Sequence, residues 1–202
     1  MRKLDERMKE ELQLLFHALC DGIRQEVRQR HNLAYIIQGY DFSLAGEREI
    51  GISSSLAWHL RLAGFVVQVD TYVKGGDPKR RPDFGIWLPA SQEYIYLEFK
   101  LTAWGNYDAQ YKYKYAIEDI EKLNSDSNLR NHPNGLIALG FSRNPERRKD
   151  QLLKGVDKSI CQRIAKDFPH YEKIRLERID LDNMDKRTSY AMIGLWFQAV
   201  GR

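Results

Sequence analysis

The segment Arg81-Pro82-Asp83-Phe84-Gly85-Ile86-Trp87 is followed, across Pro89-Ala90-Ser91-Gln92, by Tyr94-Ile95-Tyr96-Leu97-Glu98-Phe99-Lys100. Two short runs rich in β-branched and aromatic residues, parted by a turn-forming segment, predict a β-hairpin, and this constrains the fold more than any other stretch. Successive side chains of a strand point to opposite faces. Ile95, Leu97 and Phe99 therefore share one face, while Tyr96, Glu98 and Lys100 share the other. Pairing about the turn sets Asp83, at the start of the first strand, beside Glu98 near the end of the second. A compact cluster of two acids and a lysine results.

Two carboxylates held close together repel, and the usual reliefs are a shared proton, a raised pKa or a bound cation. Hard oxygen ligands of this kind suit Mg²⁺ or Mn²⁺, which take one or two carboxylates and keep water and substrate oxygens in the other positions. An anionic phosphodiester is repelled by bare carboxylates; a divalent ion reverses the local field and polarises the phosphoryl oxygen. Lys100 is then suited to hold an attacking water and to offset the charge that builds in the transition state. By itself, Glu98-x-Lys100 also describes a solvated cross-strand pair that contributes little. Pro82-Asp83 at the mouth of the preceding run is what favours a site.

At Pro82, Asp83, Glu98 and Lys100 the chain resembles the PD-(D/E)xK nuclease superfamily, whose restriction-endonuclease-like fold runs helix, three strands, helix, strand. The resemblance implies an α/β, three-layer core over about 46–141, with a mixed central sheet flanked by helices. That core belongs to a single domain spanning 1–202, with an N-terminal helical extension (1–38) and a C-terminal helix and strands (151–202) added to it. The resemblance also implies that Asp83 and Glu98 are metal ligands, that the backbone carbonyl of Phe99 adds a third, and that Lys100 positions or activates the nucleophilic water.

Many members of that superfamily carry a further acid on the helix before the first strand. Gly46-Glu47-Arg48-Glu49-Ile50 begins a helix predicted to run to about Leu62. On a period of 3.6, Glu49, Ser53, Leu56, Leu60 and Ala63 form one stripe, flanked by Ile50 and Ala57. Glu49 opens that stripe and is favoured as the fourth site residue and an additional metal ligand. Glu47 lies off the stripe and fits a first-turn charge complementing the helix dipole, although resolvase-like members with a similar Glu-Arg-Glu start use the first glutamate.

The remaining elements fit the same order. Leu4, Met8, Leu12, Leu15, Leu19 and Ile23 recur every three or four residues and predict a helix from about Leu4 to Arg30, packed on the core or against a second subunit. The state of Leu33 to Ile37 stays open. Phe65 to Val73 reads as a first strand after the helix stop Ala63-Gly64. A helix from about Asp108 to Asn124 places Ile117, Ile120 and Leu123 on one face with Tyr113 beside it. Tyr107, Tyr111 and Tyr115 are expected to pack on the sheet edge rather than to grip nucleic acid. Asp119-Ile120-Glu121-Lys122-Leu123 resembles an Asp-x-x-Lys-Leu helix of several PD-(D/E)xK groups, whereas Lys114 and Tyr115 depart from the Gln-x-x-x-Tyr pattern of exonuclease branches. Leu136 to Phe141 is apolar throughout and predicts a central strand buried on both faces. Gln151 to Phe168 reads as a helix, and Lys173 to Asp182 and Thr188 to Val200 as strands, with a turn at Asp182 to Asp185.

With 202 residues, 43% hydrophobic, the chain can bury one sizeable core, and 30% charged residues without low-complexity tracts argue against extensive disorder. No apolar run approaches a membrane span and no signal segment follows Met1, so a soluble, cytoplasmic protein without a membrane partner is expected. Cys20 and Cys161 cannot form a disulfide framework, and His17, His31, His59, His132 and His170 lack zinc-ligand spacing. The net charge of +4 is mild, but Lys74, Lys79, Arg80 and Arg81 crowd a Gly/Pro-bearing loop leading into Asp83, where they suit phosphate contacts. A second basic run, Arg143 to Lys149, is a weaker candidate. The expected activity is Mg²⁺-dependent phosphodiester hydrolysis, with Mn²⁺ as a substitute. The expected protein is a DNA endonuclease of restriction, repair or defence type that leaves a 5′-phosphate. The alternatives are a non-catalytic nucleic-acid-binding or protein-interaction subunit on the same fold, and a homodimer or larger defence complex formed through the N-terminal helix.

Overall fold

Asp5 starts the first helix. Its carboxylate accepts the backbone N–H of Met8 at 2.8 Å, satisfying one of the amides that a helix start leaves without a partner. The computed structural model describes residues 4–36, 49–71, 73, 81–104, 109–142, 162–180 and 190–199. Helix α1 (Glu6–Ile36) continues past the expected Arg30 and takes in most of the stretch whose state the sequence leaves open. Leu4, Met8, Leu12, Leu15, Leu19 and Ile23 are all buried, joined by Phe16, Cys20 and Val27. They enter one cluster with side chains of the sheet, so the apolar stripe of α1 packs on the core.

Helix α2 (Glu49–Leu62) ends as its sequence requires. Gly64 adopts φ 94°, and the amides of Gly64 and Phe65 bond the carbonyls of Arg61 and Leu60, both at 3.0 Å. This is a Schellman stop, in which glycine takes the left-handed position without steric cost. Its buried face differs from the expected one. Ser53, Leu56, Ala57 and Leu60 are buried as predicted, but Ile52 and His59 join them, while Ile50 and Ala63 are exposed. His59 is thus a packing histidine, 3.9 Å from the Glu26 carboxylate of α1.

Among the described residues six strands follow: β1 (Val66–Val69), β2 (Phe84–Leu88), β3 (Glu93–Trp104), β4 (Asn134–Ser142), β5 (Glu172–Asp180) and β6 (Tyr190–Gln198). They form a sheet in the order β1-β2-β3-β4-β6-β5. Only β3 and β4 are parallel; the other neighbours are antiparallel. Helix α3 (Ala109–Ser125) makes the crossover between β3 and β4, and a short helix α4 (Gln162–Asp167) precedes β5. Of the helix expected over 151–168, residues 151–161 lie outside the described part.

Alternation along the strands divides the core into two layers. Phe84, Ile86, Ile95, Leu97 and Phe99, with Ile137 and Leu139 of β4, meet α1 and α2. Leu136 and Ala138, on the opposite face of β4, meet Ala116 and Ile120 of α3 and Ile164 of α4. Strand β4 is therefore buried on both faces, as its unbroken apolar run predicts. Helices α2 and α3 cover opposite faces of one mixed α/β sheet.

Strand β1 stops at Val69, short of the expected Val73. Asp70 turns the backbone to φ 49°, yet its amide still bonds the Asp83 carbonyl at 3.1 Å and the Thr71 amide bonds the Pro82 carbonyl at 2.9 Å. The segment leading into Asp83 is thus held from one side by backbone pairing. At the other end of the hairpin, buried Glu11 of α1 accepts the amides of Ala90 and Ser91 at 2.7 and 2.8 Å. These charge-assisted bonds tie the β2–β3 turn to α1.

Candidate functional site

The hairpin register aligns Phe84 with Leu97 and Gly85 with Tyr96. One step further along the same ladder, Asp83 lies opposite Glu98. The amide of Tyr96 points away from β2, bonding the Pro133 carbonyl at 3.0 Å. Backbone direction alternates along a strand, so the amide and carbonyl of Phe99 leave on the β2 edge. There the Phe99 N–H donates to Asp83 Oδ2 at 2.7 Å. This bond fixes the Asp83 carboxylate just before β2 begins, where β3 continues alongside.

Glu98 is the buried member of the cluster, at 2% exposure. Burial first, then the Asp83 charge, pushes its carboxyl well above the usual carboxylate range; Lys122 pulls it back and Asp119 adds to the rise. Those last two residues come from α3, and their partners are crossed. Lys122 Nζ stands 2.6 Å from Glu98 Oε1, and Lys100 Nζ stands 2.9 Å from Asp119 Oδ2. Lys122 also donates to the Arg81 carbonyl at 3.0 Å.

Behind Glu98 lies a polar network that holds α3 to the sheet. Asn124 of α3 donates to Tyr171 Oη at 3.2 Å and accepts from Gln198 Nε2 at 3.1 Å, and Tyr171 donates to the buried Asn134. Burial raises the Tyr171 pKa, and the Glu98 charge adds to the rise.

Comparison with family models, with curated proteins and with solved structures gave no match to this chain. The chemistry of the site is therefore read from its own atoms.

The hairpin brings Asp83 and Glu98 together, and Lys100 lies on the same strand face as Glu98, the face covered by α3, with its ammonium on Asp119. Glu49 opens α2, which covers the opposite face; its side chain lies outside the described residues, as does the whole of Glu47. Of the basic loop, Lys74, Lys79 and Arg80 lie outside the described residues, while Arg81 Nη1 pairs with Asp70 at 2.9 Å. The run Arg143 to Lys149 is also outside them. Tyr115 is 49% exposed, contrary to the expected packing on the sheet edge; the Tyr107 and Tyr111 side chains are outside the described part.

Among the described residues no group of three or more His, Cys, Asp or Glu side chains converges to hold a metal ion. The donors are two carboxylates, Asp83 immediately before β2 and Glu98 in the middle of β3, which runs on to Trp104 beyond its expected end, with the Phe99 carbonyl on the same edge. Sequence reasoning did not assign roles to Asp119 and Lys122. The signal was present: an acid and a base three apart on the helix after β3, complementary to a base and an acid two apart on the strand.

Proposed function

We propose that this chain is a metal-dependent nuclease of the PD-(D/E)xK type, hydrolysing phosphodiester bonds and most suited to DNA as an endonuclease. The observation that carries this is the pairing of Asp83 with a buried, charge-stressed Glu98, with Lys100 on the same strand face. The order α2, β1 to β3, α3, β4, with β3 and β4 parallel, supports the restriction-endonuclease-like form of the α/β fold.

The donor chemistry fits Mg²⁺, which needs only one or two carboxylates from the protein and keeps several waters. Asp83, Glu98 and the Phe99 carbonyl would hold it, with Glu49 as a further candidate ligand from α2. Once bound, such an ion supplies Lewis-acid polarisation and a water of lowered pKa. The chain's own groups do the rest. Asp83 is oriented by the Phe99 amide, and the buried wall around Glu98 limits competing solvent. Lys100 shares the strand face of Glu98 and is paired with Asp119 at 2.9 Å; from there its ammonium would hold a water and offset negative charge developing on phosphorus oxygens.

A second proposal, a non-catalytic nucleic-acid-binding or protein-interaction subunit, draws on the two crossed ion pairs, which balance the four charges without a metal. Cleavage of plasmid and linear DNA with Mg²⁺ or Mn²⁺, against a chelator control, separates the two. Wild type cleaves, and Asp83→Ala and Lys100→Ala lose at least about 100-fold in rate, the usual scale for a group acting on the transition state. Equal cleavage by wild type and variants would assign the activity to a contaminant.

A further inference from the structure

Helix α3 meets β3 with two charges set one turn apart, and residues three apart share a helix face as residues two apart share a strand face. The match is crossed: Asp119 takes Lys100, and Lys122 takes Glu98. The Glu98 side chain is 3% exposed and that of Lys122 is 29% exposed. The ammonium therefore reaches into the wall of the site from a stem that keeps access to solvent, as long lysine side chains do. Its second contact is the Arg81 carbonyl at 3.0 Å, on the segment that leads into Asp83. Lys122 thus bridges β3, which bears Glu98, and the segment before β2 that bears Asp83, and Asn124 on the same helix fixes where α3 sits.

A buried carboxylate must be paired or neutralised. In the metal-free chain Lys122 pairs Glu98. A divalent ion on Glu98 would face an ammonium at contact distance from the same carboxylate, and like charges so close are strongly unfavourable. Resting on the assignment of Asp83 and Glu98 as ligands of a divalent cation, we infer that Lys122 is a positioning residue that holds Glu98 until the metal arrives. Metal loading displaces its ammonium from Glu98. The Arg81 carbonyl remains as its anchor, and the released charge faces the side from which an anionic phosphate approaches.

Calorimetric titration of Mn²⁺ into the full chain tests this by the sign of the effect. Lys122→Met removes the competing cation, so Mn²⁺ binds tighter than in wild type, by between about fivefold and a hundredfold, the usual range for coupled sites. A residue that merely braced Glu98 would give the opposite change. Lys122→Gln, which keeps an N–H for the Arg81 carbonyl, gives the same sign and serves if the Met variant fails to fold, with thermal unfolding reporting the fold of both. Equal or weaker Mn²⁺ binding in folded variants overturns the inference and leaves the metal site standing. Absence of Mn²⁺ binding in wild type overturns both. A readout without substitution completes the set: the Lys122 ¹⁵Nζ resonance shifts on adding Mg²⁺, and an unmoved resonance at saturating Mg²⁺ contradicts displacement.

Discussion

Glu98 concentrates the cost of this site. Its carboxyl is pushed upward by burial and by Asp83, against Lys122. With its folded pKa above the unfolded value near 4.3, the native state holds the proton more firmly. The stabilising contribution is thus complete below the unfolded pKa and is lost as pH rises through the folded one. Asp83, Lys122 and Asp119 are the groups whose charges or hydrogen bonds bear on it. Glu98→Gln is accordingly expected to raise the melting temperature at pH 8 by about 2–4 °C, the size of a 1 kcal/mol change in a chain of this length. The gain at pH 4 is smaller. A fall in melting temperature at pH 8 would contradict the direction given for Glu98. The strand half of the site was legible because a period of two fixes which of Glu98 and Phe99 faces which side. The helix half was not, since pairing of Lys122 with Glu98 depends on the crossover angle of α3, which no local pattern records.

At the scale of elements, the hairpin is what carries Asp83 to Glu98, and Gly85 lets it close. A Cβ there would lie 2.8 Å from the Thr71 side chain and would overlap Tyr94 Oη. Gly85→Ala should therefore destabilise by about 1–3 kcal/mol, as overpacking does, read as a shift in denaturant midpoint. An unchanged midpoint would mean that Thr71 and Tyr94 give way freely. The hairpin, α1 and β4 were legible because each has a single strong periodicity or an unbroken apolar run. Helix α2 was less so. Its sequence, Glu49-Ile50-Gly51-Ile52-Ser53-Ser54-Ser55-Leu56, offers apolar residues to more than one face, and tertiary packing chose Ile52 over Ile50. The end of β1 was hidden too, because the turn at Asp70 is set by pairing with Pro82 and Asp83, distant in sequence.

The sheet places β6, not β5, beside β4. Composition explains the choice: Ala191 to Phe197 is buried on both faces, whereas β5 carries Glu172, Lys173, Arg175, Glu177 and Arg178 and suits an edge. The strands themselves were expected, but their lateral order comes from such non-local competition. Helix α1 completes the core from the other layer, and its Cys20 tests that packing. Burial above all, then the Glu177 carboxylate, pushes the Cys20 thiol up to about 12. The native state keeps this proton, so the contribution holds below the ordinary thiol value near 8.5 and is lost as pH rises toward 12. In a Cys161→Ser background, a thiol reagent at pH 8 should leave native Cys20 unlabelled and react on unfolding. Prompt labelling of the native chain would contradict the packing of α1.

The claim on which the proposed function turns is that the start of β2 and the adjoining middle of β3 hold a divalent cation. Anomalous diffraction from a crystal soaked in Mn²⁺ measures this directly. The expected result is a peak between the Asp83 and Glu98 carboxylates, which with the Phe99 carbonyl would hold the ion. A soaked crystal with no peak there, and Lys122 still seated on Glu98, would contradict it.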